Sequence, residues 1–162
     1  MGIVKHFITV LVWLSLSLIS QAEVIDASAG YFKTASLNPT KGVINFTIES
    51  LHDTDKKWAP TTKLDFFNES DELGYSVGII KLDGKQGIVA FYVKGILDNS
   101  IERKFIKSNL ALNTPYEFNY EYIGKNRLNL IIAGRRFSMD IGFKPSKVKH
   151  LVSGMTLHVG RP

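Results

Sequence analysis

The chain has no cysteine. This removes disulfides, thiol catalysis and cysteine-ligated zinc together. It also has no internal repeat, no low-complexity linker and no periodicity that marks a helix of ordinary length. Beyond residue 22 no apolar run is long enough to span a bilayer as a helix, so no stable membrane span is expected once the leader is gone. Basic side chains exceed acidic ones, 20 against 15, but are dispersed, with only Lys56-Lys57, Arg103-Lys104 and Arg135-Arg136 adjacent. Nucleic-acid binders concentrate such charge on one segment or face, so no nucleic-acid partner is expected. Weak attraction to an anionic polysaccharide or envelope surface is compatible with this balance.

What is present begins with an export signal. Lys5 and His6 precede an apolar run from 7 to 19, and Ser20-Gln21-Ala22 supplies the small residues of a cleavage site. The run, about 13 residues, is short of the roughly 20 needed to span. Cleavage after Ala22 is expected, leaving a single domain of 140 residues, 23–162, with net charge +4. The destination is the periplasm or the extracellular space. A domain of this size buries about two thirds of its unfolded surface, enough for a core without staples.

Short alternating runs recur along the remainder, separated by Gly, Pro, Asn and Asp. Strands are expected near 30–37, 43–50, 62–68, 74–82, 87–94, 116–123, 127–133, 136–143 and 154–159. Asp83-Gly84 between two β-rich runs predicts a hairpin. Residues 98–110 fit neither period and read as strand or irregular, with a short helical turn possible. Tyr116, Phe118, Tyr120 and Tyr122 occupy every second position, with Glu117, Asn119 and Glu121 between them. Leu128, Leu130 and Ile132 repeat the pattern after a turn at Gly124-Lys125. Both sets are expected to share one inner face, which requires partners for the buried tyrosine hydroxyls. The fold class is all-β: an antiparallel β-sandwich with little or no helix.

The last third carries a resemblance. Asn113-Thr114-Pro115-Tyr116-Glu117-Phe118, then alternating Leu128, Leu130 and Ile132 into Ala133-Gly134, then Leu151-Val152-Ser153-Gly154 before Thr156, Leu157 and Val159, resemble the closing strands of the concanavalin A-like lectin and glucanase superfamily. The resemblance implies a jelly roll of the galectin or laminin-G type. The superfamily's binding and catalytic signatures do not carry over. The galectin strands His-x-Asn-x-Arg and Trp-Gly-x-Glu-x-Arg are absent, Trp58 being followed by Ala59-Pro60. The glucanase strand Glu-x-Asp-x-(x)-Glu has only Glu69-Ser70-Asp71-Glu72 near it, at a turn with other spacing.

Other chemistry is thin. Glu117 and Glu121 lie on one strand face about 13 Å apart, wider than a glycosidase pair. There is no Gly-x-Ser-x-Gly elbow. His150 and His158 read as surface residues, and the histidines lack zinc spacing. The candidate ligand-binding residues are Trp58, His52, Asp53 and Asp55, in the polar stretch 51–61. An indole there either stacks on the C–H face of a sugar or folds back over the end of the core. Asp53 and Asp55 are too few for calcium alone, and Lys56 and Lys57 oppose it. No cofactor is expected. These features point to an exported, non-catalytic domain that binds carbohydrate or a glycoconjugate. The alternative is a module contacting another envelope protein, and a glycan-cleaving enzyme ranks last.

Overall fold

The computed structural model describes residues 23–52, 59–83 and 87–160. Ten strands follow one another: β1 (Glu23–Leu37), β2 (Lys41–Leu51), β3 (Thr61–Phe67), β4 (Leu73–Lys81), β5 (Ile88–Lys94), β6 (Glu102–Lys107), β7 (Pro115–Gly124), β8 (Arg127–Ile132), β9 (Arg135–Asp140) and β10 (Lys147–Gly160). All pairings are antiparallel. Among the described residues there is no helix, and the 98–110 segment resolves into a turn followed by β6.

The hydrogen-bonded order is β6-β5-β4-β3-β10-β2-β7-β8-β9, with β1 along β10. β10 organises the fold. Lys147–Ser153 pair with β3, and Met155–Gly160 pair with β2. The consecutive strands β2 and β3 therefore dock end to end along β10. β1 follows β10 over both halves, and its register shifts between Ala27 and Phe32. The shift coincides with Gly30 on β1 and Gly154 on β10, both at positive φ, where glycine carries no steric penalty. The two strands thus pass from one layer, β3–β6, into the other, β2 with β7–β9.

The inner faces of the layers meet in one aromatic core. The Phe66 ring stands edge-on to Tyr120 at 5.4 Å, and Phe46 packs 4.7 Å from Phe118. Tyr116, Phe118 and Tyr120 are buried, and Tyr122 is half-buried. Their hydroxyls find partners as the alternation demanded. Tyr116 Oη donates to Ala111 O at 2.8 Å and accepts from Ala111 N. Tyr120 Oη donates to Asn38 O at 2.6 Å, and Tyr122 Oη accepts from Asn126 N. Burial pushes the Tyr120 phenol up to about 12.

Four sequence expectations need correction. The first strand begins at Glu23, well before 30, because it runs along both halves of β10. The β7–β8 turn is Lys125-Asn126, both at positive φ, because Gly124 is taken into a register shift after Tyr122. The last strand begins at Lys147, well before 154. And His150 is not a surface residue: it is 3% exposed, between Val148 and Val152 on the inner face. Its Nε2 pairs with Thr62 Oγ1 at 2.8 Å and its ring stands edge-on to Phe118. A neutral imidazole with one satisfied nitrogen can replace an aliphatic residue there. Burial lowers its pKa to about 4.

Candidate functional site

Of the residues singled out in the sequence, the leader 1–22, Asp53, Asp55, Lys56, Lys57, Trp58 and Gly84 of the expected hairpin lie outside the described residues. His52 follows β2, and its Nε2 lies 2.7 Å from Asp26 Oδ1. Thr156 Oγ1 donates to the same carboxylate oxygen at 3.0 Å and lies 3.2 Å from the same ring nitrogen. These bonds to His52 and Thr156 hold the Asp26 carboxyl below the usual range. Threonine, histidine and aspartate come together, but both partners converge on one nitrogen. A proton relay needs hydroxyl and carboxylate on opposite ring nitrogens, so this cluster is a strap between β1, β2 and β10. His158 is likewise committed, with Nε2 2.6 Å from Glu49 Oε2. Among the described residues no group of His, Asp and Glu is arranged to hold a metal.

The feature best shaped to take a ligand is on strands instead. A groove of about 590 Å³ crosses the outer face of the β3–β6 layer. Pairing register aligns the side chains of this outer face in rows that run across the strands. One row reads Thr34, Leu151, Lys63, Gly78, Phe91 and Phe105 from β1 to β6. The next reads Ser36, Lys149, Asp65, Ser76, Val93 and Arg103. Phe105 is 54% exposed, and Phe91 lies beside it, half-buried.

The lining is mainly apolar, with Lys63 and Ser76 as polar members that Asp65 holds in place. Asp65 is only 5% exposed although it lies on an outer face. Ser76 Oγ donates to its Oδ1 at 2.6 Å, and Lys63 Nζ sits 2.9 Å from its Oδ2. Each carboxylate oxygen has a partner, as a buried charge requires. Asp65 is therefore a brace for Lys63 and Ser76 and not a free acid. Gly78 keeps the middle of the first row low. A Cβ there would lie 2.4 Å from the Thr62 carbonyl and 2.5 Å from Lys63 Cβ. Gly78→Ala must displace backbone, and a loss of about 1–3 kcal/mol is expected from urea unfolding. An unchanged midpoint would show that the two strands separate freely.

The opposite layer has a smaller, polar furrow of about 370 Å³, lined by Asn119, Glu121, Asn129, Ile131, Arg136 and Ser138. Glu121 belongs to it, and Glu117 faces outward opposite Asn45 on β2. Neither glutamate meets a second carboxylate across a cleft.

Sequence reasoning missed the groove because its residues are remote from one another in the chain. One signal was available. In Ile88–Lys94 the outer positions Val89, Phe91 and Val93 are as apolar as the inner ones, which a strand with one wet face does not need.

No protein-family model matches the chain, and no curated protein matches it in sequence. Its structure does match solved ones. A carbohydrate-binding module, CBM66, from Bacillus subtilis superposes with a TM-score of 0.54 at 14% identity, covering 85% of this chain and 83% of that one. A tetrameric galectin from the sponge Cinachyrella sp. gives 0.52 at 12% identity, over 80% of this chain and 96% of that one. An alginate lyase from Alteromonas sp. 272 gives 0.51 at 9% identity, over 81% of this chain and 62% of that one. At such identities the likeness concerns the fold, and it agrees with the strand order built up above. The chain has the jelly-roll fold of the concanavalin A-like lectins.

Proposed function

We propose that this chain is a non-catalytic carbohydrate- or glycoconjugate-binding domain, exported to the periplasm or beyond, and that sugar lies in the groove across β3–β6. The observation that carries this reading is the exposed Phe105 beside Phe91, in a mainly apolar groove that also holds Lys63, Ser76 and Arg103. Pyranose rings present C–H faces that stack on aromatic rings, while their hydroxyls bond to neighbouring polar side chains. Ser76, Lys63 and Arg103 supply such groups along the same face. The likeness to a carbohydrate-binding module and a galectin supports the reading, since both keep this architecture. The alginate lyase shares the fold too, so the absence of catalysis is part of the proposal and not a consequence of the fold. The geometry favours it: Asp65 is tied on both oxygens, and the His52 cluster lacks a relay.

A glycan array followed by affinity electrophoresis tests the proposal. Phe91→Ala with Phe105→Ala is expected to weaken retention about tenfold or more, since each stacked ring contributes on the order of 1 kcal/mol beyond its buried area. Asn129→Ala, on the opposite layer, should leave it unchanged. Silence across a broad array would overturn the proposal. Product release from any retained polysaccharide would overturn its non-catalytic part.

A further inference from the structure

The charges beside the groove narrow the class of sugar, an inference that rests on the binding reading just given. The strands of the β3–β6 layer, with the half of β10 that joins them, turn Lys63, Lys147, Lys149 and Arg103 outward, and Lys104, beside Arg103, also lines the groove. They turn out one carboxylate, Asp65. Lys63 is matched by Asp65, and Lys147 by Asp71 of the β3–β4 turn at 2.6 Å. Three cations are left over, Lys149, Arg103 and Lys104, the last exposed and without an ion pair among the described residues. Lys149 has no ion pair among the described residues, and its Nζ rests 5.4 Å above the Phe67 ring. Arg103 has neither an ion pair nor a hydrogen bond among the described residues. Its neighbour Glu102 is directed elsewhere, bound to Lys94 at 2.8 Å and to the Tyr92 hydroxyl.

Arg103 stands opposite Val93 and two residues before Phe105. An open guanidinium fork beside apolar groups matches a carboxylate or sulfate, which it can grip through two parallel bonds. The apolar surroundings strengthen that contact by excluding water. Lys149 and Arg103 also fall in one cross-strand row, four strand spacings apart, or about 19 Å. No monosaccharide reaches from one to the other, whereas a chain lying across the strands meets a cation at each end.

We infer that the groove takes an acidic polysaccharide, bearing carboxylate or sulfate groups, laid across β10 to β6 with Arg103 and Lys149 as its anion contacts and Phe105 and Phe91 as its stacking surface. The ligand is a polymer of several units, and its single sugars bind poorly.

Affinity electrophoresis of the full chain tests this. The probes are a polyuronate, a sulfated polysaccharide and a neutral glucan, each at 20 and 200 mM salt. The expected result is retention by at least one acidic polymer, weakened about tenfold by Arg103→Gln and less by Lys149→Gln, with both effects shrinking at high salt. Comparison of the two acidic probes identifies the anion. Lys41→Gln, on the other layer, should change nothing. Unchanged thermal midpoints in the variants verify folding. Equal retention by neutral and acidic polymers, unaffected by Arg103→Gln, would sink the inference and leave the binding reading standing. Equal losses for Lys41→Gln and Arg103→Gln would reduce it to general polyelectrolyte attraction and overturn it as well. Failure to bind any polysaccharide would overturn the binding reading itself.

Discussion

Phe118→Ala is expected to destabilise the fold by about 3–5 kcal/mol, the usual cost of removing a fully buried phenylalanine. Phe118 is 1% exposed, on β7. It packs against Phe46 on β2 and meets the edge of His150 on β10, so it links neighbours of its own layer to the half of β10 that belongs to the other. A cavity there opens between two sheets that are already held by their neighbours, and neither can collapse far to fill it. A domain of this kind has typically 5–15 kcal/mol in total, and there is no disulfide to hold the unfolded chain together. Urea unfolding should show a midpoint lowered by a large fraction with little change in slope. A loss below about 1 kcal/mol would mean that the core repacks and that the aromatic contacts between layers are not what holds it.

The second large effect is a stability that falls with acid because of one histidine. His150 titrates at about 4 in the folded chain against 6.5 for an unburied histidine, because burial disfavours its charged form. Above pH 6.5 it is neutral in both states and contributes no pH dependence. Below 6.5 the unfolded chain takes up a proton that the folded chain refuses, so stability drops as pH falls. The decline stops near pH 4, where the folded form binds the proton too. At roughly 1.4 kcal/mol per pH unit the loss is about 3 kcal/mol across this window. Lys33 and Glu23 from β1 line a small cleft at the edge of the sandwich together with His150. The carboxyls held below their usual range, Asp26, Asp71, Asp98 and Glu102, act at lower pH, near and below 4.5 for Glu102 and 3.8 for the aspartates. Unfolding curves at half-unit steps from pH 7.5 to 4.5, for the native chain and for His150→Gln, isolate the histidine. The variant should be less stable at neutral pH, since Thr62 loses a well-placed partner, but flatter across the window. Parallel curves would show that the decline belongs to other groups.

Both effects depend on features that the chain discloses to different degrees. The aromatic face of β7 was legible. Tyr116, Phe118 and Tyr120 alternate with polar residues, and alternation of period two is a local property that survives into the folded sheet. The pairing of β7 with β8 was legible for the same reason, since a short turn leaves little choice of register. His150 was not. A histidine between lysines looks like a surface residue, and only the Thr62 hydroxyl, 88 positions away, makes it a tolerable core residue. The length of β10 was hidden with it, because reading His150 as exposed broke the inner row Val148, His150, Val152.

The sequence by itself determined the class of this protein: all-β, free of disulfides, with one aromatic inner face and a jelly-roll ending. It determined these because hydrophobic period, turn residues and composition act over a few neighbouring positions. Only the tertiary structure decided which side chains share the face of the proposed groove. Lys63, Gly78, Phe91, Arg103, Phe105 and Lys149 come from five strands, and their shared face is a consequence of cross-strand register. Register is set by the packing of the whole inner face, and a slip of one residue would turn each of these side chains to the other side. The sequence drew attention to the stretch around His52. The fold commits His52 to Asp26 and Thr156, and it brings an exposed ring together with a guanidinium that has no ion pair among the described residues, on the β3–β6 layer.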